Sequence, residues 1–200
     1  MRWAVETHDA TDAEIEALPP GLQARLIRLM EAVENVGLEQ LREPHVKHLE
    51  GKLWELRAKA AEGIARGIYV TVTGRRVIVL HRGFREEVTE DATRRAGNSQ
   101  RANEGGEAMT KIAELKKRLM NNPAFRQEYE KADAEFQLVE ALIGARTKAK
   151  LSQAELARRI GTTQSAIARL EGGGVSPSLN TLRRYAEATG SKLEINLVRS

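Results

Sequence analysis

The spacing of apolar residues changes period along the chain, and each change marks an element. Trp3, Val5 and Thr7 alternate with polar neighbours, the period of a half-buried strand. Thr11 or Asp12 is placed to cap a short helix running to Leu18, which Pro19-Pro20 ends. From Gly21 the set Leu22, Leu26, Leu29, Met30, Val33 and Val36 keeps helical spacing, so a long amphipathic helix follows and Gly37 closes it. After a loop around Pro44 the chain turns to strand chemistry in LWELR and then GIYVTVTGRRVIVLHRGF, where two β-branched runs flank Thr73-Gly74 as a hairpin. The order is strand, two helices, three strands. An antiparallel sheet with both helices on one face buries both apolar sets, an α+β domain.

The second half is helical throughout. Ile112, Leu115, Leu119 and Met120 predict a short amphipathic helix stopped at Asn121-Asn122, with Asn122 as the next cap and Pro123 in the first helical position. Phe125, Tyr129, Ala132, Phe136, Val139, Leu142 and Ile143 then form one long apolar stripe; its last three residues read as bundle core, its earlier part as a contact with a partner. Ser152, with Glu155 three residues on, forms a capping box, followed by Leu156, Ala157 and Ile160. Gly161 breaks that helix, and Thr162 or Thr163 caps another whose buried stripe is Ala166, Ile167 and Leu170. Helices this short are unstable alone. Joined by a tight glycine turn they predict a helix-turn-helix. Beyond GGGVSPS, residues Leu179, Leu182, Tyr185 and Ala186 mark a closing helix ended by Gly190. From Lys192 to Val198, Leu193, Ile195 and Leu197 alternate as a short terminal strand, suited to pairing with its copy in a homodimer.

Composition adds boundaries. With 200 residues, 41% hydrophobic and 30% charged, the chain can fill two small cores. Residues 86–108 lack apolar periodicity and are rich in Arg, Asn, Gly, Glu and Ser, so they read as a linker between domains 1–85 and 109–200, the core of the latter spanning about 136–190. Any codons for Glu104-Gly105-Gly106-Glu107 are purine-rich and precede Met109, where a bacterial ribosome-binding site would lie; an ordinary linker and a former separate reading frame are equal readings of this. No apolar run nears the roughly 18 residues of a membrane span, and the amino terminus lacks a secretory signal's pattern. A cytoplasmic protein with no membrane partner is expected. The absence of cysteine excludes disulfides and thiolate metal sites, and His45 and His48 are the one close pair among four histidines. That pair is weak evidence for a metal, and neither a metal nor a cofactor is expected; a stand-alone enzyme on a small substrate has little support, since no nucleotide-cradling glycine motif or catalytic-triad spacing appears.

Charge separates the halves. Residues 1–108 hold 16 basic and 18 acidic side chains, and 109–200 hold 16 and 10, so the positive excess lies where the helix-turn-helix is. On its second helix, Gln164, Ser165 and Arg169, with Thr163 just ahead, offer amide, hydroxyl and guanidinium groups to base edges in a major groove. Gln153 begins the first helix, placed to meet a phosphate. The stretch from about Phe136 to the end resembles the XRE (lambda-repressor/Cro-like) helix-turn-helix. That resemblance implies a five-helix bundle, operator DNA as partner, and base contacts at Gln164, Ser165 and Arg169. The longer stretch from Met109 resembles HigA-type antitoxins.

In the first half, Arg42 to Arg85 holds ten Lys/Arg against four Glu. On the strands, Lys52, Arg57, Arg66, Arg82 and Arg85 with His81 converge if the hairpin pairs, as a cationic surface without a partnered carboxylate. Such a surface is either a solvated sheet edge or a site of RNA cleavage. In the latter a 2′-hydroxyl attacks its own phosphate, cations offset the developing charge and His81 moves a proton. The segment KHLEGKLWELR followed by GIYVTVTGRRVIVLHRGF resembles the HigB branch of the RelE/ParE toxin superfamily. This implies a RelE-like fold, ribosome-dependent mRNA endoribonuclease activity, Arg57, Arg66 and His81 as catalytic residues, and Lys47 and Lys52 as RNA-binding ones. The chain departs from that pattern: Arg82 separates the histidine from Gly83, and Glu86, Glu87, Glu90 and Asp91 stand where lysines are expected. Together the resemblances imply a type II toxin–antitoxin fusion that represses its own operator, with toxin–antitoxin contact within or between chains and mRNA on the ribosome as a further partner. The alternative is a transcriptional regulator whose toxin-derived domain is catalytically dead.

Overall fold

The computed structural model describes residues 3–41, 43–72, 75–83, 109–173 and 175–196. They form two compact units, 1–136 and 137–200. The structural division therefore falls inside a helix, and not at the 108/109 boundary of the sequence pattern: residues 109–136 build part of the first unit. The expected linker 86–108 and Arg85 lie outside the described residues.

The first unit opens with β1 (Ala4–His8), α1 (Asp9–Glu16) and α2 (Pro20–Val36). A meander follows: β2 (Val46–Glu50), β3 (Leu53–Ala60), β4 (Gly63–Val72) and β5 (Arg76–Gly83). The six-stranded sheet has the order β2-β3-β4-β5-β1-β6, where β6 is Met109–Lys111. The sheet is mixed, correcting the antiparallel expectation. The meander strands are antiparallel neighbours, but β1 pairs parallel to β5, with Val5 opposite Val77, because the two helices carry the chain across before the meander starts. Strand β2 carries little period-2 signal. It is an edge strand with a register shift between His48 and Glu50, so pairing with β3 defines it more than its own alternation does.

Helix α2 packs across β3, β4 and β1. Leu22, Leu26, Leu29, Met30 and Val33 are buried as its spacing predicts, together with Val5, Leu56, Ala65, Tyr69, Val77 and Val79. Gly37 ends it at φ 90°, and Trp3 Nε1 stands 3.2 Å from where a β-carbon would be, so both backbone and space require glycine. Thr11 and Asp12 do not cap α1, which begins at Asp9 after an extended His8. Both are buried, because a hydroxyl and a carboxylate are needed inside: Thr11 Oγ1 donates to the Val79 carbonyl at 3.3 Å, and Asp12 accepts from Thr7 Oγ1.

The remainder of this unit comes from residues after Met109. Strand β6 pairs antiparallel with β1, setting Thr110 opposite Thr7. Helix α3 (Ile112–Leu119) buries Ile112, Leu115 and Leu119, and packs on α2. Asn122 then caps helix α4 (Pro123–Lys148), its Oδ1 accepting from Ala124 N at 3.0 Å. The first half of α4 buries Phe125, Tyr129, Ala132 and Phe136.

Charge sets the register of this packing. Arg118 pairs with Asp12 and, at 3.0 Å, with Glu16. Glu31 accepts from Lys116 at 2.7 Å and from Tyr129 and Arg28 at 2.6 Å each. Arg28 also meets Asp133 at 2.9 Å and lies over the Tyr129 and Phe136 rings, while Arg25 holds Glu135 through two bonds of 3.0 and 2.6 Å. Burial opposes the charge on Glu31, but the bonds from Lys116, Tyr129 and Arg28 outweigh it and hold its carboxyl below the ordinary glutamate range. Burial likewise opposes the charge of Lys116, and its bonds to Glu31 and Tyr129 overcome that, raising its pKa.

The second unit holds the rest of α4, then α5 (Gln153–Ile160), α6 (Gln164–Glu171) and α7 (Leu179–Ala188). That is four helices among the described residues, where the resemblance implied five. The core is Leu142, Leu151, Leu156, Ala157, Ile167, Leu170 and Tyr185. Inside it, Arg146 holds Glu171 through bonds of 2.6 and 3.0 Å, Gln153 Nε2 donates to Glu171 at 2.9 Å, and the Tyr185 hydroxyl lies 2.6 Å from the same carboxylate. Burial, reinforced by Glu171, pushes the Tyr185 hydroxyl's pKa up. The expected terminal strand is absent among the described residues: Ser191–Asn196 has no ladder partner, and Ile195 is 58% exposed. A lone strand has no second row of backbone groups to bond; Leu197 and Val198 lie outside the described residues.

Two outcomes follow for stability. A carboxylate with a lowered pKa stabilises the fold above its ordinary value of 4.5, and that contribution disappears as pH falls through the folded value. Melting temperatures from about pH 6 to about pH 3 should therefore fall less steeply in Glu31→Gln than in the parent chain. In the second unit, Glu171→Ala leaves the buried Arg146 without its counter-charge and should cost about 3–5 kcal/mol in denaturant unfolding.

Candidate nucleic-acid interfaces

In the first unit the pairing of β3 with β4 places Arg57 directly opposite Arg66. Like charges facing each other across a ladder repel. Alternation puts Glu55 on the same face of β3 two residues before Arg57, and its carboxylate sits between the guanidinium groups. Glu55 Oε2 accepts from Arg57 Nε at 2.8 Å and Nη2 at 2.6 Å, and Oε1 from Arg66 Nη1 at 3.3 Å. The Glu55 side chain is 2% exposed, whereas those of Arg57 and Arg66 are 30% and 34% exposed. The surface is thus cationic outside and anionic beneath. This departs from the expected surface without a partnered carboxylate, and Glu55 is the residue that counting basic side chains misses. Its signal was present as the i, i+2 spacing within LWELR.

The ladder also locates the other expected residues. Lys47, exposed on β2, is opposite Glu55; Glu55 is opposite Ile68, and Ile68 is opposite His81. Lys47 and His81 therefore occupy register positions in the Glu55 row, one strand and two strands away. Lys52 does not join them. It lies exposed in the turn between β2 and β3, five residues from Arg57 and so about 16 Å along the strand. The histidine pair is divided: His45 is buried against the Phe136 ring at 5.5 Å, and exposed His48 bonds the Gly51 carbonyl at 3.0 Å.

In the second unit, backbone chemistry builds the turn. Ser152 Oγ accepts from Glu155 N at 3.1 Å, and Glu155 Oε2 accepts from Ser152 N at 2.7 Å, completing the predicted capping box. Gly161 ends α5 at φ 72°, a left-handed turn that glycine adopts without strain. Thr163, of the two candidate threonines, caps α6 by accepting from Ala166 N at 3.1 Å, and its hydroxyl lies 3.1 Å from that of Ser165. Ile167 and Leu170 point into the core, leaving Thr163, Gln164, Ser165 and Arg169 exposed along one end and face of α6. Gln153 is placed differently from the sequence expectation. Its side chain is buried and its amide is committed to Glu171, because Arg146, Tyr185 and Gln153 together satisfy that interior carboxylate.

Both halves of the chain are similar in sequence to known proteins. Residues 13–86 match the family model described as phage derived protein Gp49-like, and residues 143–196 match the helix-turn-helix model. Antitoxin HigA1 of Mycobacterium tuberculosis, in strains CDC 1551 / Oshkosh and ATCC 25618 / H37Rv, is 38% identical over 76 residues, covering 38% of this chain and 51% of that protein. The chain thus spans about half the length of the curated relatives it matches. One polypeptide joins a Gp49-like region to an XRE-type helix-turn-helix, and over part of its length it is a homologue of an antitoxin.

Proposed function

We propose that this protein is a type II toxin–antitoxin fusion: a sequence-specific DNA-binding autorepressor whose amino-terminal domain is a RelE/HigB-like mRNA endoribonuclease held by its own chain. The observation that carries this reading is that β6, α3 and the first half of α4 are built into the first unit through strand pairing with β1 and ion pairs to α1 and α2. In this reading that segment is the antitoxin part and those contacts are its hold on the toxin part.

The DNA-binding step follows from α6. Its amino-terminal end enters a major groove, where Gln164, Ser165 and Arg169 meet base edges and Thr163 fixes the helix end; a homodimer reads two half-sites of an operator. Gln153 acts from inside, by orienting Glu171 against Arg146. For cleavage, the substrate is mRNA on the ribosome. Arg57 and Arg66 offset charge on the phosphate as the 2′-hydroxyl attacks, His81 moves the proton, and Lys47 holds a neighbouring phosphate. Strands β1 and β5 separate β6 from β4, a distance of roughly 14 Å at about 4.8 Å per strand. With the segment in place the Arg57 and Arg66 side chains keep 30% and 34% exposure, so in this reading the segment restrains the toxin from beside the arginines and not by burying them. Operator DNA and translating ribosomes are cytoplasmic, and that is the compartment this reading assigns to the protein. The second reading, a regulator with a dead toxin-derived domain, is favoured by Arg82 and by the acidic run at Glu86, Glu87, Glu90 and Asp91, which lies outside the described residues.

Arg169→Ala should lower discrimination between operator and mismatched duplexes by about 1–3 kcal/mol in competition binding, with little change on random DNA. Induced expression tests the fusion. Residues 1–108 should arrest growth and fragment mRNA where the full chain does not, and Arg57→Ala should abolish the arrest; a folded but inert fragment would favour the regulator reading.

A further inference from the structure

The arrangement of Glu55 is unusual for a surface that meets a polyanion. A carboxylate beside a phosphate-binding site repels the ligand, and removing it should improve binding if its charge were all that mattered. Glu55, however, is almost wholly buried beneath two arginines that the ladder sets face to face. Each of its oxygens serves a different arginine: Oε2 takes the Nε and Nη2 edge of Arg57, and Oε1 takes Nη1 of Arg66. An arginine side chain has several rotatable bonds, and two unrestrained guanidinium groups would swing apart by mutual repulsion. Bound to one buried carboxylate, they are held side by side.

We propose that Glu55 is the positioning residue of the RNA-binding surface, clamping Arg57 and Arg66 into one preorganised fork for a phosphate group. This rests on the reading of that surface as an RNA site. With both oxygens engaged by arginines, Glu55 takes no proton from substrate; it acts by fixing where two positive charges stand. Preorganisation of this kind strengthens binding by removing the ordering cost from the binding step. Lys47 on β2 stands opposite Glu55 in the ladder, so it is next to a fixed point and not a mobile one.

The test is the sign of one effect. The full chain is titrated with a short single-stranded RNA carrying 2′-O-methyl groups, which cannot be cleaved, in the presence of excess duplex DNA to occupy the helix-turn-helix. Arg57→Ala and Arg66→Ala should each weaken binding. Glu55→Gln, although it removes a negative charge, should weaken it too, by roughly threefold to tenfold, and the Arg57 Nε–H resonance should lose its protection from exchange. Tighter or unchanged binding by Glu55→Gln, with both arginine variants weakened, would leave the RNA site standing and overturn the positioning role. If the arginine variants bind as the parent chain does, the RNA reading itself fails and the clamp with it. Should Glu55→Gln not fold, Glu55→Asp keeps the charge but shortens the reach, and the same signs apply to it.

Discussion

The backbone edge of β1 is the constraint on which the first unit depends. A strand paired on one side presents a row of amide and carbonyl groups that must find partners. Here one side is taken by β5, and residues 109–111 of the same chain take the other. Once β6 is seated, the chain that leaves it has little choice. Helix α3 is brought against α2, Arg118 reaches Asp12, and Lys116 meets Glu31. Asp12 shows how tightly the parts are tied: this buried carboxylate joins Thr7 on β1, its own helix α1, and Arg118 on α3.

Along the docking face, the charges alternate in a way that specifies position. Helix α2 offers arginines to the acidic residues of α4 and a glutamate to the lysine of α3. Sliding either helix by one turn would place like charges together. The apolar stripe supplies adhesion, and the ion pairs select which register adheres. In the second unit one carboxylate performs the comparable task, since Glu171 draws together α4, α5 and α7 through Arg146, Gln153 and Tyr185.

Much of this was legible in the sequence where local chemistry decides local structure. The stripe of α2, the capping box at Ser152, the stop at Asn121-Asn122 and the exposed face of α6 all depend on neighbours within a turn or two, and periodicity finds them. What periodicity missed depends on residues far along the chain. The parallel placement of β1 and the edge strand β2 are decided by which strands meet. Thr11 and Asp12 have the composition of caps, yet are consumed by Val79 and Arg118 some 68 and 106 residues away. Gln153 reads as a surface amide because its partner Glu171 is 18 residues on. At the candidate site, the basic residues were visible singly. The carboxylate beneath them was not, because its importance arises only when β4 brings Arg66 opposite Arg57.

The seating of β6 on β1 has a consequence for dosage. Two proteins made from separate frames meet by collision, and the fraction captured depends on how much of each is present and how fast each is degraded. Here every copy of the sheet is synthesised with its own covering strand, so the ratio is fixed at one to one. Because β6 and β1 belong to one chain, their pairing does not depend on how much protein the cell makes. The sheet cannot lose this strand to degradation unless the chain is first cut.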